Sequence, residues 1–135
     1  MIRVVLDTNV IVSALLKPEG LESTVFVLAL RSQMLLCISE PVFAEYDDVL
    51  RRPRLKLKPA EIDATLTAIR ERPHLVEPKQ RLSISKHESD NRFLECAETA
   101  RADYLINGNT RHFPAVHATA TILSARQFLE ILATA

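Results

Sequence analysis

The strongest constraint on the fold is the alternation of short apolar runs with longer segments of helical periodicity along the whole chain. Residues 2–6 are apolar apart from Arg3, with β-branched Ile2, Val4 and Val5, the pattern of a short strand buried on both faces. The run stops at Asp7-Thr8-Asn9, residue types that cap helices, and an apolar helical segment follows to about Leu16 before Pro18 and Gly20 break it. The same reading predicts strands at 34–39, 75–76, 104–107 and 120–123. Helices are expected over 21–31, 40–50, 60–71, 91–101 and 124–132, those at 40 and 60 opened by Pro41 and Pro59. Strands that alternate with helices imply a parallel sheet covered on both faces. The expected architecture is therefore α/β, a three-layer α/β/α arrangement with a central parallel sheet of four to five strands. A chain of 135 residues suits a single domain over 1–135.

Composition removes several classes of function. Only two glycines are present, Gly20 and Gly108, so neither a Walker A loop nor a G-x-G-x-x-G turn can be built. The longest wholly apolar run, 25–30, is far short of the roughly 20 residues a membrane helix requires. The apolar opening is cut off at Asp7, too early for a secretory signal, and a cytoplasmic protein without a membrane partner is expected. Cys37 and Cys96 sit in apolar surroundings without a C-x-x-C pair, which makes them reduced core residues; the four histidines lack zinc-ligand spacing. Seventeen basic and seventeen acidic residues cancel, so any nucleic-acid surface must come from local charge.

In a parallel sheet, ligands bind outside the carboxyl ends of the strands. Asp7 stands where the first strand ends, either as an N-cap or as a carboxylate at the mouth of the sheet, with Asn9 two residues on to orient it. On the helix from Pro41, Val42, Phe43, Tyr46, Val49 and Leu50 mark the core stripe. Glu45 and Asp47 lie at its two edges, and periodicity does not choose between them; Asp48 faces solvent. Asp90 precedes the helix at 91 as a second cap or carboxylate candidate. Asp103 opens a strand, and Asn109 follows another in a turn to which Gly108 lends backbone freedom. Acids gathered at one end of one sheet would repel each other without a hard divalent cation, and metal-assisted phosphodiester hydrolysis uses such an arrangement.

The motifs of four segments point further. The segment 4–15, Val-Val-Leu-Asp-Thr-Asn-Val-Ile-Val-Ser-Ala-Leu, resembles the opening signature of PIN domains, and most closely the branch of VapC-like ribonucleases, toxins of type II toxin–antitoxin systems. Ser-Glu-Pro-Val-Phe-Ala-Glu at 39–45 resembles that family's second motif, Asp-Asn-Arg-Phe-Leu-Glu-Cys-Ala at 90–97 the third, and Ala-Asp-Tyr-Leu-Ile-Asn-Gly-Asn at 102–109 the fourth. In order and together they span 4–113. The resemblance implies a PIN-like fold, dependence on Mg²⁺ or Mn²⁺, and endoribonuclease activity by metal-activated water. It implies Asp7, Glu45 and Asp90 as metal-binding acids, deciding for Glu45 over Asp47. Thr8, Asn9, Ser13, Asn91 and Asp103 follow as supporting residues.

The departure is Asn109, where many relatives carry a fourth aspartate. Its carbonyl retains the capacity to hold a water, and it stays among the catalytic candidates. Relatives also imply an RNA substrate, a cognate antitoxin and a homodimer. Five cations fall between 51 and 58, of which Arg51, Arg52 and Arg54 are candidates for an RNA phosphate track, with Arg111 and His112 as further substrate contacts. Two other readings compete. A haloacid-dehalogenase-like phosphatase needs a second aspartate where this chain has Asn9. An inactive PIN-fold module that only binds RNA or a partner would explain Asn109.

Overall fold

The computed structural model describes residues 1–31, 33–71, 74–108 and 113–134. The elements run β1 (Arg3–Leu6), α1 (Thr8–Leu16), α2 (Leu21–Leu30), β2 (Leu35–Ile38), α3 (Glu40–Leu50), a 3₁₀ turn (Pro53–Leu55), α4 (Pro59–Glu71) and β3 (His74–Leu75). They continue as α5 (Glu88–Ala100), β4 (Tyr104–Ile106), β5 (Val116–His117), β6 (Ala120–Leu123) and α6 (Ala125–Thr134).

The sheet is mixed and mostly parallel, ordered β3-β2-β1-β4-β6-β5. Five strands are parallel, as expected, and β5 adds a sixth that pairs antiparallel with β6 through Val116↔Thr121 and His117↔Ala120. This hairpin is absent from the sequence reading because its turn, Ala118-Thr119, carries no glycine, asparagine or aspartate, although Ala118 takes a left-handed φ of 52°. Thr119 holds the turn down by donating from Oγ1 to the Ala102 carbonyl at 2.8 Å.

Val4, Val5 and Leu6 are each fully buried although their side chains alternate between faces, so the sheet is covered on both sides. The chain leaves β1 toward β2 and β3, then returns through α5 to β4 on the other side of β1. That reversal makes a crevice outside the carboxyl ends of β1 and β4. Helix α5 passes through the protein's interior; every residue from 90 to 97 is buried, polar ones included. Cys37 and Cys96 are free and buried, and burial pushes their thiols up to about 11 and about 12. Among the described residues no helix is long and apolar enough to cross a membrane.

Candidate active site

Asp7 follows the last residue of β1, and its backbone N–H extends the ladder by donating to the Ile106 carbonyl at 2.9 Å. Its Oδ1 accepts from the Thr8 N–H at 2.9 Å, so the carboxylate does cap α1. The same side chain, 6% exposed, also lines a cavity, and the two roles coincide in one residue. Helix α3 starts with Ser39 Oγ accepting from the Val42 N–H at 3.2 Å. The buried Tyr46 hydroxyl donates to the Leu6 carbonyl at 2.6 Å, tying α3 to the end of β1. That tie sets the neighbouring edge of α3, with Glu45 half-buried, beside Asp7. Asp47 leaves on the other edge, where it pairs with Arg51.

Helix α5 begins three residues earlier than expected. Asp90 is thus not its cap but a buried residue of its first turn, and His87 takes the N-cap position. Asp7, Glu45 and Asp90, drawn from three remote segments, line one cavity of about 200 Å³. Thr8 and Asn9 stand beside them, Val49 and Phe93 provide apolar wall, and Arg52, Arg54, His87 and Ser89 complete the lining.

The electrostatics record this crowding. Asp7 is pushed up to about 7, first by burial and then by the charge of Asp90, with Glu45 adding less and the Thr8 N–H opposing. Glu45 is also raised, by burial first and then by Asp48 and Asp90, against Arg52. Among the described residues no three His, Cys, Asp or Glu side chains stand close enough to hold an ion jointly, so the acids share a cavity and not a closed coordination shell. The donor chemistry nevertheless fits a hard cation. Mg²⁺ is held through one or two carboxylates and keeps several waters, and Asp7 and Asp90 are the more strongly coupled pair. Thr8 Oγ1 is buried with no hydrogen-bond partner among the described residues, an arrangement that costs about 1–3 kcal/mol unless a further group, a ligand or a water completes it.

The structure separates the remaining candidates. Thr8, Asn9, Arg52 and Arg54 reach the cavity; Ser13, Arg51, Asn91 and Asp103 do not line it. Arg51 is spent on Asp47 and on Asp63 of α4. Asp103 lies at the opposite, amino end of the sheet: its Oδ2 accepts from the Arg3 N–H at 2.8 Å, and its own N–H donates to the Arg3 carbonyl at 2.8 Å. It staples β4 to β1 and cannot support the acids. Gly108 does not take a left-handed backbone; its role is closeness, since a Cβ there would lie 3.2 Å from that of Asn9. Asn109, Arg111 and His112 fall outside the described residues. His87 and Ser89 are missing from the sequence reading because 77–89 has no periodicity. The signal that would have found them is the true helix start at Glu88.

A larger groove of about 480 Å³ runs along 75–81 beside Glu40 and Pro41. Three glutamates line it too, but each is already paired: Glu40 with Arg70, Glu77 with Lys79 at 3.6 Å, and Glu95 with the Leu82 N–H at 2.8 Å and with Arg92 at 2.9 Å.

A parallel-sheet α/β protein with acids converging at its topological switch point is the class that these features define. The PIN domain family profile matches residues 3–111, and the chain belongs to that family. It is 27% identical over 104 residues to an uncharacterised protein of Methanocaldococcus jannaschii, covering 75% of this chain and 67% of that one. In fold it is similar to a chain of the crystal structure of VapBC2 from Rickettsia felis bound to a DNA fragment from their promoter. That likeness has a TM-score of 0.61 at 17% identity, over 91% of this chain and 98% of the other.

Proposed function

We propose that this PIN-domain protein is a divalent-metal-dependent endoribonuclease of the cytoplasm, the toxin of a toxin–antitoxin pair. The observation that carries the reading is the convergence of Asp7, Glu45 and Asp90 on one cavity that also holds two arginines. The family and the fold likeness to VapBC2 support the nuclease and antitoxin parts. Asp7, Glu45 and Asp90 would hold Mg²⁺ or Mn²⁺, which when bound activates water and offsets charge on a scissile phosphate. The protein's own groups prepare the place. Arg52 and Arg54 attract a polyanion that three carboxylates would otherwise repel. Thr8 Oγ1 offers a hydrogen bond to a water or phosphate oxygen, and Val49 and Phe93 lower the local dielectric, strengthening each of these interactions. Hydrolysis breaks the bond between phosphorus and the 3′ oxygen, which takes the proton from water, leaving a 5′-phosphate and a 3′-hydroxyl.

Purified protein is expected to cleave RNA with Mn²⁺ or Mg²⁺, to stop in EDTA, and to lose cleavage in Asp90→Asn. Cleavage that persists in EDTA, or termini bearing 2′,3′-cyclic phosphate, would overturn the mechanism. Asn109, where many relatives carry an acid, favours a second reading, an inactive PIN-fold RNA- or partner-binding module. RNA binding without cleavage under every metal would select it.

The arginines separate by binding in EDTA, where no turnover interferes. Arg52 pairs with exposed Asp48 at 3.2 Å, a surface pair worth about 0–1 kcal/mol, so a phosphate displaces it readily. For single-stranded RNA, Arg52→Ala and Arg54→Ala should each reduce the slope of log K against log[salt] by about 0.7. Arg51→Ala should leave it unchanged, because Asp47 and Asp63 already hold that guanidinium.

A further inference from the structure

The buried polar residues of α5 that do not reach the cavity all face one segment, 82–88, and bind it. Asn91 is fully buried, and its Oδ1 accepts from the backbone N–H of Ile84 at 3.0 Å and of Ser85 at 2.8 Å. Its Nδ2 donates to the Ser85 carbonyl at 3.1 Å and to Glu88 at 3.4 Å. One side chain therefore grips both polar groups of the Ser85 backbone. One turn further along, Glu95 and Arg92 hold Leu82 through its N–H at 2.8 Å and its carbonyl at 3.5 Å.

The grip has a consequence at the cavity. Ser85 Oγ accepts from the His87 N–H at 3.2 Å and lies 3.4 Å from Asp90 Oδ2, to which it donates. A hydroxyl held by Asn91 thus links the backbone of one cavity-lining residue, His87, to the carboxylate of another, Asp90. A segment without regular structure can hold such geometry only if its backbone is fastened, because ordering each residue costs conformational entropy.

Resting on the nuclease reading above, we propose that Asn91 and Ser85 are a positioning pair: Asn91 fastens Ser85, and the Ser85 hydroxyl sets the Asp90 carboxylate and His87 at the cavity. The pair touches no substrate. Its action passes through Asp90, as outer-shell partners orient ligands at metal sites, where their loss typically costs about 10–100-fold in metal affinity or activity.

The test uses Asn91→Ala, Asn91→Asp and Ser85→Ala of the full chain, with three readouts. Mn²⁺ affinity is measured by calorimetry, kcat and KM in RNA cleavage, and amide hydrogen exchange together with His87 ring resonances in metal-free protein. Ser85→Ala removes the hydroxyl and leaves the Asn91 grip, so it should fold. It is expected to weaken Mn²⁺ binding and lower kcat by about 10-fold or more with KM nearly unchanged. Asn91→Ala should do the same and also speed exchange at Ile84 and Ser85. Asn91→Asp keeps the acceptor but sets a charged oxygen against the Ser85 carbonyl and Glu88 in place of the donor, and should be impaired at least as much as Asn91→Ala. Variants that lose only thermal stability, with Mn²⁺ affinity, kcat and the His87 resonances unchanged, would overturn the proposal. Should the wild type neither bind Mn²⁺ nor cleave RNA, the nuclease reading fails. The positioning pair is then decided by whether Ser85→Ala and Asn91→Ala shift the His87 resonances, unshifted signals overturning it.

Discussion

Asp7→Asn is expected to abolish RNA cleavage and at the same time to make the protein more stable. The activity follows from the loss of a charged ligand at the centre of the acid cluster, a drop of about 10³-fold or more, equivalent to at least about 4 kcal/mol of barrier. The stability follows from linkage. Asp7 is 6% exposed, and burial with Asp90 raises its pKa in the folded protein from 3.8 to about 7. Between those values the folded state holds a proton that the unfolded chain has released, so the wild type loses stability as pH rises from about 4 to about 7 and stays lower above it. Asparagine carries no such charge, and its Oδ1 still accepts from the Thr8 N–H that Asp7 caps. At one pKa unit per about 1.4 kcal/mol, the variant should gain a few kcal/mol at pH 8 and melt on the order of 10 °C higher. Near pH 4 the two proteins should melt together. Melting curves at pH 4, 6 and 8 check this directly. Added Mn²⁺ should raise the wild type at pH 8 more than the variant, since only a ligand that binds the folded state shifts its melting. Equal melting at pH 8 would show that Asp7 is not held charged and crowded.

The second large effect is a contrast on one helix. Glu45→Gln should lower cleavage by about 10²-fold or more, roughly 2.7 kcal/mol, and Asp47→Asn should stay within about twofold. Both acids flank the same core stripe, and they differ in what they face. Glu45 is half-buried in the cavity with a raised pKa, whereas Asp47 pairs with Arg51 near the protein surface. Single-turnover cleavage of one RNA by both variants settles the contrast. Equal loss in the two would mean that α3 is presented differently to the site.

How much of this was legible beforehand varies by element. The strands at 3–6 and 35–38 declare themselves because a strand buried on both faces needs consecutive apolar residues, a local property. Helix α3 is legible through Pro41 and its stripe, although the sequence reading counts its cap, Ser39, with the preceding strand. Helix α5 is not, at its start, since the sequence shows no cap with a side-chain bond there; its first turn is held instead by Asn91 gripping 84–85 and by Arg92 pairing with Glu88 at 2.7 Å. That one misplacement hid His87 and Ser89. The hairpin β5–β6 is hidden for a related reason, a turn of alanine and threonine made tolerable by a bond to Ala102 far back in the chain.

The sequence by itself determined the class of the fold, the apolar core and the short list of acids, because periodicity, caps and residue type are written locally. Its periodicity left open which acids meet; the family motifs implied Asp7, Glu45 and Asp90, and only the tertiary structure shows how they come to line one cavity. Asp7 and Asp103 stand at the two ends of adjacent parallel strands, four residues of rise or roughly 13 Å apart along the sheet. Glu45 and Asp47 differ by which side of one helix the Tyr46–Leu6 bond turns toward the sheet. Those are properties of strand direction and helix rotation, set by packing between segments remote in the chain, and periodicity and caps carry no local signal for either.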